Sequence, residues 1–401
     1  MHTLPKFTDI AAGDEAFVAS DAAEAIIFSY DQPQAIPQLL ARIRAEHQQI
    51  IESGQLISMA SVFPDYIAFS QDLEIHPLAA QSEANTRAFC ERHGIMTDKF
   101  NAYVTMTPWL FPKATTLESL DIINEINALL FYIDEKGSAN AEDTDEVAKN
   151  DIKRKGMELL QLVENPATVT SPDNELANST REILQQLYRL ADPEWIRRFV
   201  GGTAAHLREA IQGVDAKTQT GDLQVMTLQR YIDETRIDDS GMIPTIQLME
   251  LAAGKYIPYE QILSEAPEIY DKLNRAQYLV AAFPAVTNDL FSYQKEVIEA
   301  NSAYNAIPIV MNQTGLTLRE AAQVIMDYVA NTFREYMQIA QEIRSELSNS
   351  EYSWREAVLD HLIGLDDGAK ATWIWQYAQT DRYQRPDSIF IEALSGIEKA
   401  A

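Results

Sequence analysis

The sequence predicts an all-α fold, and three observations carry that expectation. Apolar residues recur at three- and four-residue spacing through most of the chain, which is the helical period. Alternating, strand-like patterning is almost absent. Proline, threonine and glycine stand at the edges of the periodic segments, where helices start and stop. The chain has 401 residues, 46% of them hydrophobic, which is ample for a large core.

Taken in order, DAAEAIIFSY (21–30) and IPQLLARIRAEHQQIIESG (36–54) read as helices, the second with a proline suited to a first turn. SVFPDYIAFSQDLEIHP (61–77) loosens into turns or short helices. From ANTRAFCERHG (84–94) onward the helical period dominates. ATTLESLDIINEINALLFYID (114–134) opens on Thr115, with Glu118 three residues later in the pattern of a capping box. Its last turns, ALLFYI, are apolar on nearly every side, which predicts a helix running through a core. GSANAEDTDE (137–146) reads as a polar loop whose acids, Glu142, Asp143, Asp145 and Glu146, face solvent. VAKNDIKRKGMELLQLVE (147–164) resumes the helix, and NPATVTSPDNELANS (165–179) reads as a long connection. Helical runs follow at 179–213, 222–237 and 243–253. Residues 271–300 form another, expected to kink at Pro284. Residues 317–349 and 352–380 close the fold.

The 60 acidic residues against 32 basic give a formal net charge of -28. That argues against a nucleic-acid surface or an anionic membrane partner, both of which need a basic footprint. An anionic small substrate stays open if metal ions and a few local cations hold it. Cys90 is the single cysteine, so no disulfide forms within the chain, and a reducing, cytoplasmic setting is the simplest reading. The first residues lack the basic start and apolar stretch of a signal peptide, and nothing approaches 18 consecutive apolar residues.

Chemistry concentrates in NDLFSYQKE (288–296). Asn288, Ser292 and Glu296 fall at i, i+4 and i+8, which stacks an amide, a hydroxyl and a carboxylate on one helical stripe. Mg²⁺ is a hard ion that takes oxygen ligands and is often completed by substrate phosphates. A polar helix surface at chance spacing would look the same on this stripe alone. A second acidic feature, Asp134-Glu135, emerges straight from the apolar run, where a carboxylate must be hydrated, paired or metal-bound. His76, His93 and His206 have no ligand or dyad spacing and are expected in surface or capping roles.

NDLFSYQKE resembles the NDxxSxxxE metal motif of class I terpene synthases, in its NDxxSxxKE form. Three further pieces fall in that family's order. PWLFPKATTLESLDIINEINALLFYIDE resembles the segment leading into the first aspartate-rich motif, with Asp134 in the leading place. YIDETRIDDSG resembles the helix break of the family, which makes Arg236 the diphosphate sensor, Asp239 the linking residue and Ser240 the position whose backbone carbonyl meets substrate. WIWQYAQTDRY resembles the family's Arg-Tyr pair, giving Arg382 and Tyr383. NSAYNAIPIVMNQTGLTLREAAQVI also follows the family pattern. The resemblance spans roughly residues 75 to 390, and it departs from the family at Asp134-Glu135-Lys136-Gly137-Ser138, where the distal carboxylate of DDxxD is missing.

What the resemblance implies is an antiparallel helical bundle around a central apolar pocket, the class I terpenoid synthase fold, over residues 76–401. Residues 1–75 then form an N-terminal helical extension packed on it. A linear prenyl diphosphate, C20 slightly before C15, would bind with three Mg²⁺ between its diphosphate, Asp134 and the Asn288/Ser292/Glu296 stripe. Arg236, Lys295, Arg382 and Tyr383 would hold the diphosphate, and Phe131, Phe283, Phe291 and Trp375 would face the carbocation. A homodimer, common in the family, is compatible with the chain. The altered aspartate-rich segment leaves open two other readings, a prenyl diphosphate-binding or hydrolysing protein that does not cyclise, and a helical partner-binding protein with degenerate metal motifs.

Overall fold

A computed structural model describes residues 35–142, 146–216 and 226–395, without the side chains of Ala102, Asp134, Ile152 and residues 136–142, 146–149 and 209–216. Among these residues the fold is helical throughout, with two isolated β-bridges and no sheet. The described helices include α1 (Ile36–Ser53), α2 (Pro64–Ser70), α3 (Ala79–His93), α4 (Met106–Leu110), α5 (Leu117–Glu142), α6 (Glu146–Glu164), α7 (Glu175–Leu190) and α8 (Pro193–Ala216). They continue with α9 (Met242–Ala253), α10 (Pro267–Tyr293), α11 (Ala306–Thr314), α12 (Leu318–Leu347) and α13 (Arg355–Ile374). None is long and apolar enough to cross a membrane.

Local chemistry sets many of these boundaries. Prolines open α1, α2 and α10, where the missing N–H costs nothing. Thr317 caps α12 by accepting from the Glu320 amide while Glu320 reaches back to Thr317, a reciprocal capping box. Gly54, Gly94, Gly254 and Gly315 end α1, α3, α9 and α11 in the left-handed conformation that a Cβ disfavours.

Three expectations are corrected. The 137–146 stretch is not a loop from its start, because α5 continues to Glu142; Glu135, Lys136, Ala139 and Ala141 propagate a helix better than the single Gly137 breaks it. The connection after Asn165 ends earlier than expected, since the buried Asn174 side chain accepts from the Ala177 amide and starts α7 at Glu175. The 179–213 run is two helices, divided where Asp192 accepts from the Glu194 and Trp195 amides around Pro193. The predicted helix at 21–30 and the loop acids Asp143 and Asp145 lie outside the described residues, as do the side chains of Glu142 and Glu146.

Helices α10 and α12 form the central pair. Lys272 meets Glu342 and Glu346, and Phe283 packs on Phe333, so the two run antiparallel. α10 continues through Pro284 without a break. Ile36, Leu39, Leu40, Ile43, Phe63 and Tyr66 belong to the same buried core as α10 and α12. Residues 57–60 also fasten the C-terminal segment: Ile57 exchanges backbone hydrogen bonds with Ile389 and Ile391, and the buried Glu392 carboxylate accepts from the Ser58 hydroxyl and the Met59 and Ala60 amides.

Candidate active site

The C-terminal end of α10 carries the stripe. Asn288 and Ser292 stand one turn apart on regular helix, and the chain then widens into a π-helical segment, Gln294–Glu299, in which the Ala300 amide reaches back five residues to the Lys295 carbonyl. Such wide turns concentrate at functional sites because they re-aim successive side chains. Glu296 leaves from this segment, with the half-buried Lys295 beside it. Ser292 is 1% exposed, and among the described residues its hydroxyl has no hydrogen-bond partner. A buried, unpartnered hydroxyl costs about 1–3 kcal/mol and asks for a ligand.

Arg236 faces this stripe. It ends a second π-helical segment, Ile232–Arg236. Its Nη2 donates to Asn288 Oδ1 at 2.9 Å, its Nε lies 2.7 Å from Asp289 Oδ1, and its Nη1 stands 3.6 Å from Asp239. Burial opposes the guanidinium charge, but Asp289, Tyr231 and Asp239 outweigh it and raise the Arg236 pKa well above the usual value. Asp289 is 1% exposed. Burial lifts its carboxyl and Arg236 pulls it back, with the Ala306 amide and the Tyr231 hydroxyl, each 2.9 Å from Oδ2, also donating to it.

Beyond Arg236 the helix breaks at Ser240-Gly241. The Ser240 hydroxyl is used locally, donating to the Ile237 carbonyl and accepting from the Met242 amide. Gly241 takes φ +70 against the His206 ring, and His206 Nδ1 sits 2.7 Å from the Asp238 carbonyl. His206 therefore braces the break, and His76 braces the start of α3 by accepting from the Leu78 amide. His93 is paired with Glu182.

A third π-helical segment, Trp375–Gln379, delivers the C-terminal strap. Asn288 Nδ2 donates to the Tyr383 hydroxyl at 2.9 Å, so one amide joins Arg236 to Tyr383. Arg382 lies 3.8 Å from Glu135 and over the Phe131 ring at 5.7 Å, which brings the Phe131–Glu135 turn of α5 against the strap. Trp375 packs on Phe131 and Tyr383, and Phe291 packs on Tyr383 and Trp373, giving one continuous aromatic wall. Phe283 is fully buried among Tyr66, Phe333 and Tyr336, and Tyr66 in turn packs on Trp373 and so joins it to the wall. A cavity of about 190 Å³ lies elsewhere, lined by Leu110, Phe111, Met249, Ala252, Ile363 and Asp367, none of them a predicted site residue.

The structure thus gathers Arg236, Asp239, Asn288, Ser292, Glu296, Tyr383, Arg382, Phe131, Phe291 and Trp375 into one neighbourhood. The backbone of Asp134 lies on α5 next to Glu135, while its side chain is outside the described residues. Among the described residues no three His, Cys, Asp or Glu side chains cluster as a metal site. The donors present at the stripe are all oxygens, which suits Mg²⁺ and not a thiolate- or imidazole-seeking metal. Two residues of the site carried no assigned role in the sequence, Asp289 and Asn305. The first was visible only as the second letter of NDLFSYQKE, and the second only as a polar residue before an apolar helix.

Residues 125–335 match the family model described as terpene synthase family 2, C-terminal metal binding. Terpene synthase 6 of Dictyostelium discoideum is 26% identical over 59% of this chain and 65% of its own length. Sesquiterpene synthase Agr1 of Cyclocybe aegerita is 25% identical over 69% of this chain and 73% of its own. The crystal structure of an α-eudesmol synthase superposes with a TM-score of 0.63 at 16% identity, over 76% of this chain and 96% of that one, which shows the shared class I helical fold.

Proposed function

The chain belongs to terpene synthase family 2, a class I terpene synthase family, and from that premise we propose that it ionises a linear prenyl diphosphate with Mg²⁺ and cyclises the carbocation to a terpene. The observation that carries the reading is the buried, unpartnered Ser292 hydroxyl, set in line with Asn288 and Glu296 and faced by Arg236. Asn288, Ser292 and Glu296 would hold metal on one side of the diphosphate, and Asp134 on the other. Three Mg²⁺ ions are the proposed complement. Bound Mg²⁺ supplies charge neutralisation for the departing diphosphate.

The chain's own residues do the rest. Arg236 offers a forked donor already oriented by Asp289 and Asp239, suited to bidentate phosphate contact. Arg382, Lys295 and the Tyr383 hydroxyl add donors from the strap and the π segment. The scissile C–O bond breaks with its electron pair going to the diphosphate oxygen, and the allylic cation is left against the aromatic wall. Phe131, Trp375 and Phe291 would line its surroundings, with attraction of about 0.5–2 kcal/mol for a ring whose face meets the cation. The final proton passes to released diphosphate, so no protein base is assigned. Asp239 and Ser240 would relay diphosphate contact through the break.

Chain length is read from the relatives. The Cyclocybe aegerita protein carries the name sesquiterpene synthase, which supports a C15 substrate over the C20 suggested by the length of the chain. The test is incubation with C10, C15, C20 and C25 prenyl diphosphates and Mg²⁺, measuring volatile products and released diphosphate. Cyclic products from the C15 substrate are expected. Diphosphate release with only linear alcohols would reduce the protein to a hydrolase, and no metal-dependent release from any substrate would overturn the enzymatic reading.

A further inference from the structure

The turn after the π segment brings Asn305 back under the stripe. Asn305 is fully buried. Its Nδ2 donates to Glu296 Oε2 at 3.0 Å and to the Asp289 carbonyl at 2.9 Å, while its Oδ1 accepts from the Ile307 amide at 3.0 Å and caps α11. The cap fixes which way the amide faces, because only the oxygen can accept from Ile307. Its neighbour contributes too, since the Ala306 amide donates to Asp289 Oδ2.

We propose that Asn305 is a positioning residue for metal binding: it takes one carboxylate oxygen of Glu296 and thereby presents the other, Oε1, toward the stripe of Asn288 and Ser292. The proposal rests on the metal-dependent reading of the stripe given above. The physical need is specific to this place. Glu296 leaves from a π turn, whose residues do not inherit the side-chain register of α10, so the helix alone does not aim it. A half-buried carboxylate also gains from a donor that survives when metal is absent. By bonding Glu296 and the Asp289 carbonyl at once, a single amide spans the junction between the α and π segments and ties the metal-facing stripe to the residue that orients Arg236. Groups that orient metal ligands in this way are worth about 10–100-fold in metal affinity.

Asn305→Asp separates this role from capping, because aspartate caps a helix as well as asparagine but cannot donate, and it sets a second carboxylate against Glu296. Binding is read without turnover, by Mn²⁺ titration followed by electron paramagnetic resonance and by the thermal shift given by Mg²⁺ plus inorganic diphosphate, in the full chain. The wild type and Glu296→Gln bracket the scale. The expected result is an N305D protein that retains its helical circular dichroism and cooperative melt while its Mn²⁺ affinity falls about 10–100-fold. Excess metal should restore part of kcat, which a folding defect would not allow. N305D binding Mn²⁺ as the wild type does, while E296Q has lost binding, would overturn the positioning role and leave the function standing. A wild type with no metal–diphosphate binding would instead overturn the metal reading itself. If N305D fails to fold, Asn305→Ser serves in its place, a smaller cap that reaches Ile307 but not Glu296, with the same criteria.

Discussion

Among the described residues, two arginine–carboxylate pairs have a carboxylate only 1% exposed, and by burial alone they cannot be told apart. Arg236 and Asp289 are 2.7 Å apart with side-chain exposures of 10% and 1%; Arg198 and Glu250 are 2.8 Å apart with 13% and 1%. Each carboxylate also accepts from a backbone amide, Ala306 in one case and Ile257 in the other. The difference lies in where the rest of each guanidinium points. Arg198 spends its remaining surface on scaffold, lying over the Tyr259 ring at 4.7 Å with Glu194 3.8 Å away. Arg236 spends its own on the Asn288 amide and on Asp239 at the helix break. Arg236 also leaves from a π segment, whereas Arg198 and Glu250 leave from regular α8 and α9. A perturbed buried charge is therefore not itself the signature of the site; the signature is a charge whose other donors face a stripe that carries an unpartnered hydroxyl.

Breaking the first pair gives the largest effect. Asp289→Asn keeps the volume but takes away the close, buried counter-ion of Arg236 and leaves it only Asp239 at 3.6 Å, and breaking a buried pair costs about 3–5 kcal/mol. Among molecules that remain folded, Arg236 loses its orientation, and turnover is expected to fall about 100-fold. Urea denaturation and diphosphate release measure the two losses. Full activity in D289N would show that Asp289 is scaffold like Glu250. Next comes Ser292→Ala, which removes a hydroxyl that bonds to nothing among the described residues. Its stability is expected to equal that of the wild type or exceed it by up to about 1–3 kcal/mol, since an unsatisfied buried hydroxyl is removed and no hydrogen bond among the described residues is lost. Its Mg²⁺ requirement should rise at least about tenfold if the hydroxyl is a ligand. A large loss of stability with unchanged Mg²⁺ dependence would remove Ser292 from the metal set.

On the scaffold side, Glu250→Gln sharpens the contrast. Arg198 keeps Glu194 and Tyr259 as partners, so the loss of stability is expected to be smaller, about 1–3 kcal/mol. Diphosphate release per folded molecule should be unchanged, because Glu250 touches nothing in the site. A turnover defect in E250Q beyond its loss of folded protein would mean that the two pairs communicate, through α9 and the break before it.

How much of this was legible in the sequence follows from what each feature depends on. The helical fold was legible because a repeating apolar face is a local pattern. The Asn288/Ser292/Glu296 stripe was legible for the same reason, since i, i+4, i+8 spacing lies within one short stretch. The partnership of Asp289 with Arg236 and Tyr231 was not, because it exists only after two distant segments pack together. Nor were the π segments, which follow from packing and leave no periodic trace. The extension of α5 to Glu142 was misread because a polar, acidic composition resembles a loop even where alanine, lysine and glutamate sustain helix. Asn305 was hidden by its ordinary appearance as a helix cap, a role it does fill with one end of its amide while the other end serves the stripe.

The smallest effect tests the scaffold pair alone, through pH. Burial raises the Glu250 carboxyl from its ordinary range to about 7, against the opposing pull of Arg198 and the Ile257 amide and with some help from Asp192. A carboxyl that binds its proton more tightly in the folded state contributes stability that is complete below its unfolded pKa and is lost as pH rises through the folded one. The window therefore runs from about pH 4.5 to about pH 7 and just beyond. Between pH 6 and pH 8 the wild type should lose about 1 kcal/mol on this account. Glutamine carries no such proton, so the difference in stability between wild type and E250Q should shrink by that amount over the same interval. Denaturant midpoints at the two pH values measure it. A gap that stays constant would mean that Arg198 holds Glu250 ionised throughout, and the aim of the spare donors would remain as the difference between the two pairs.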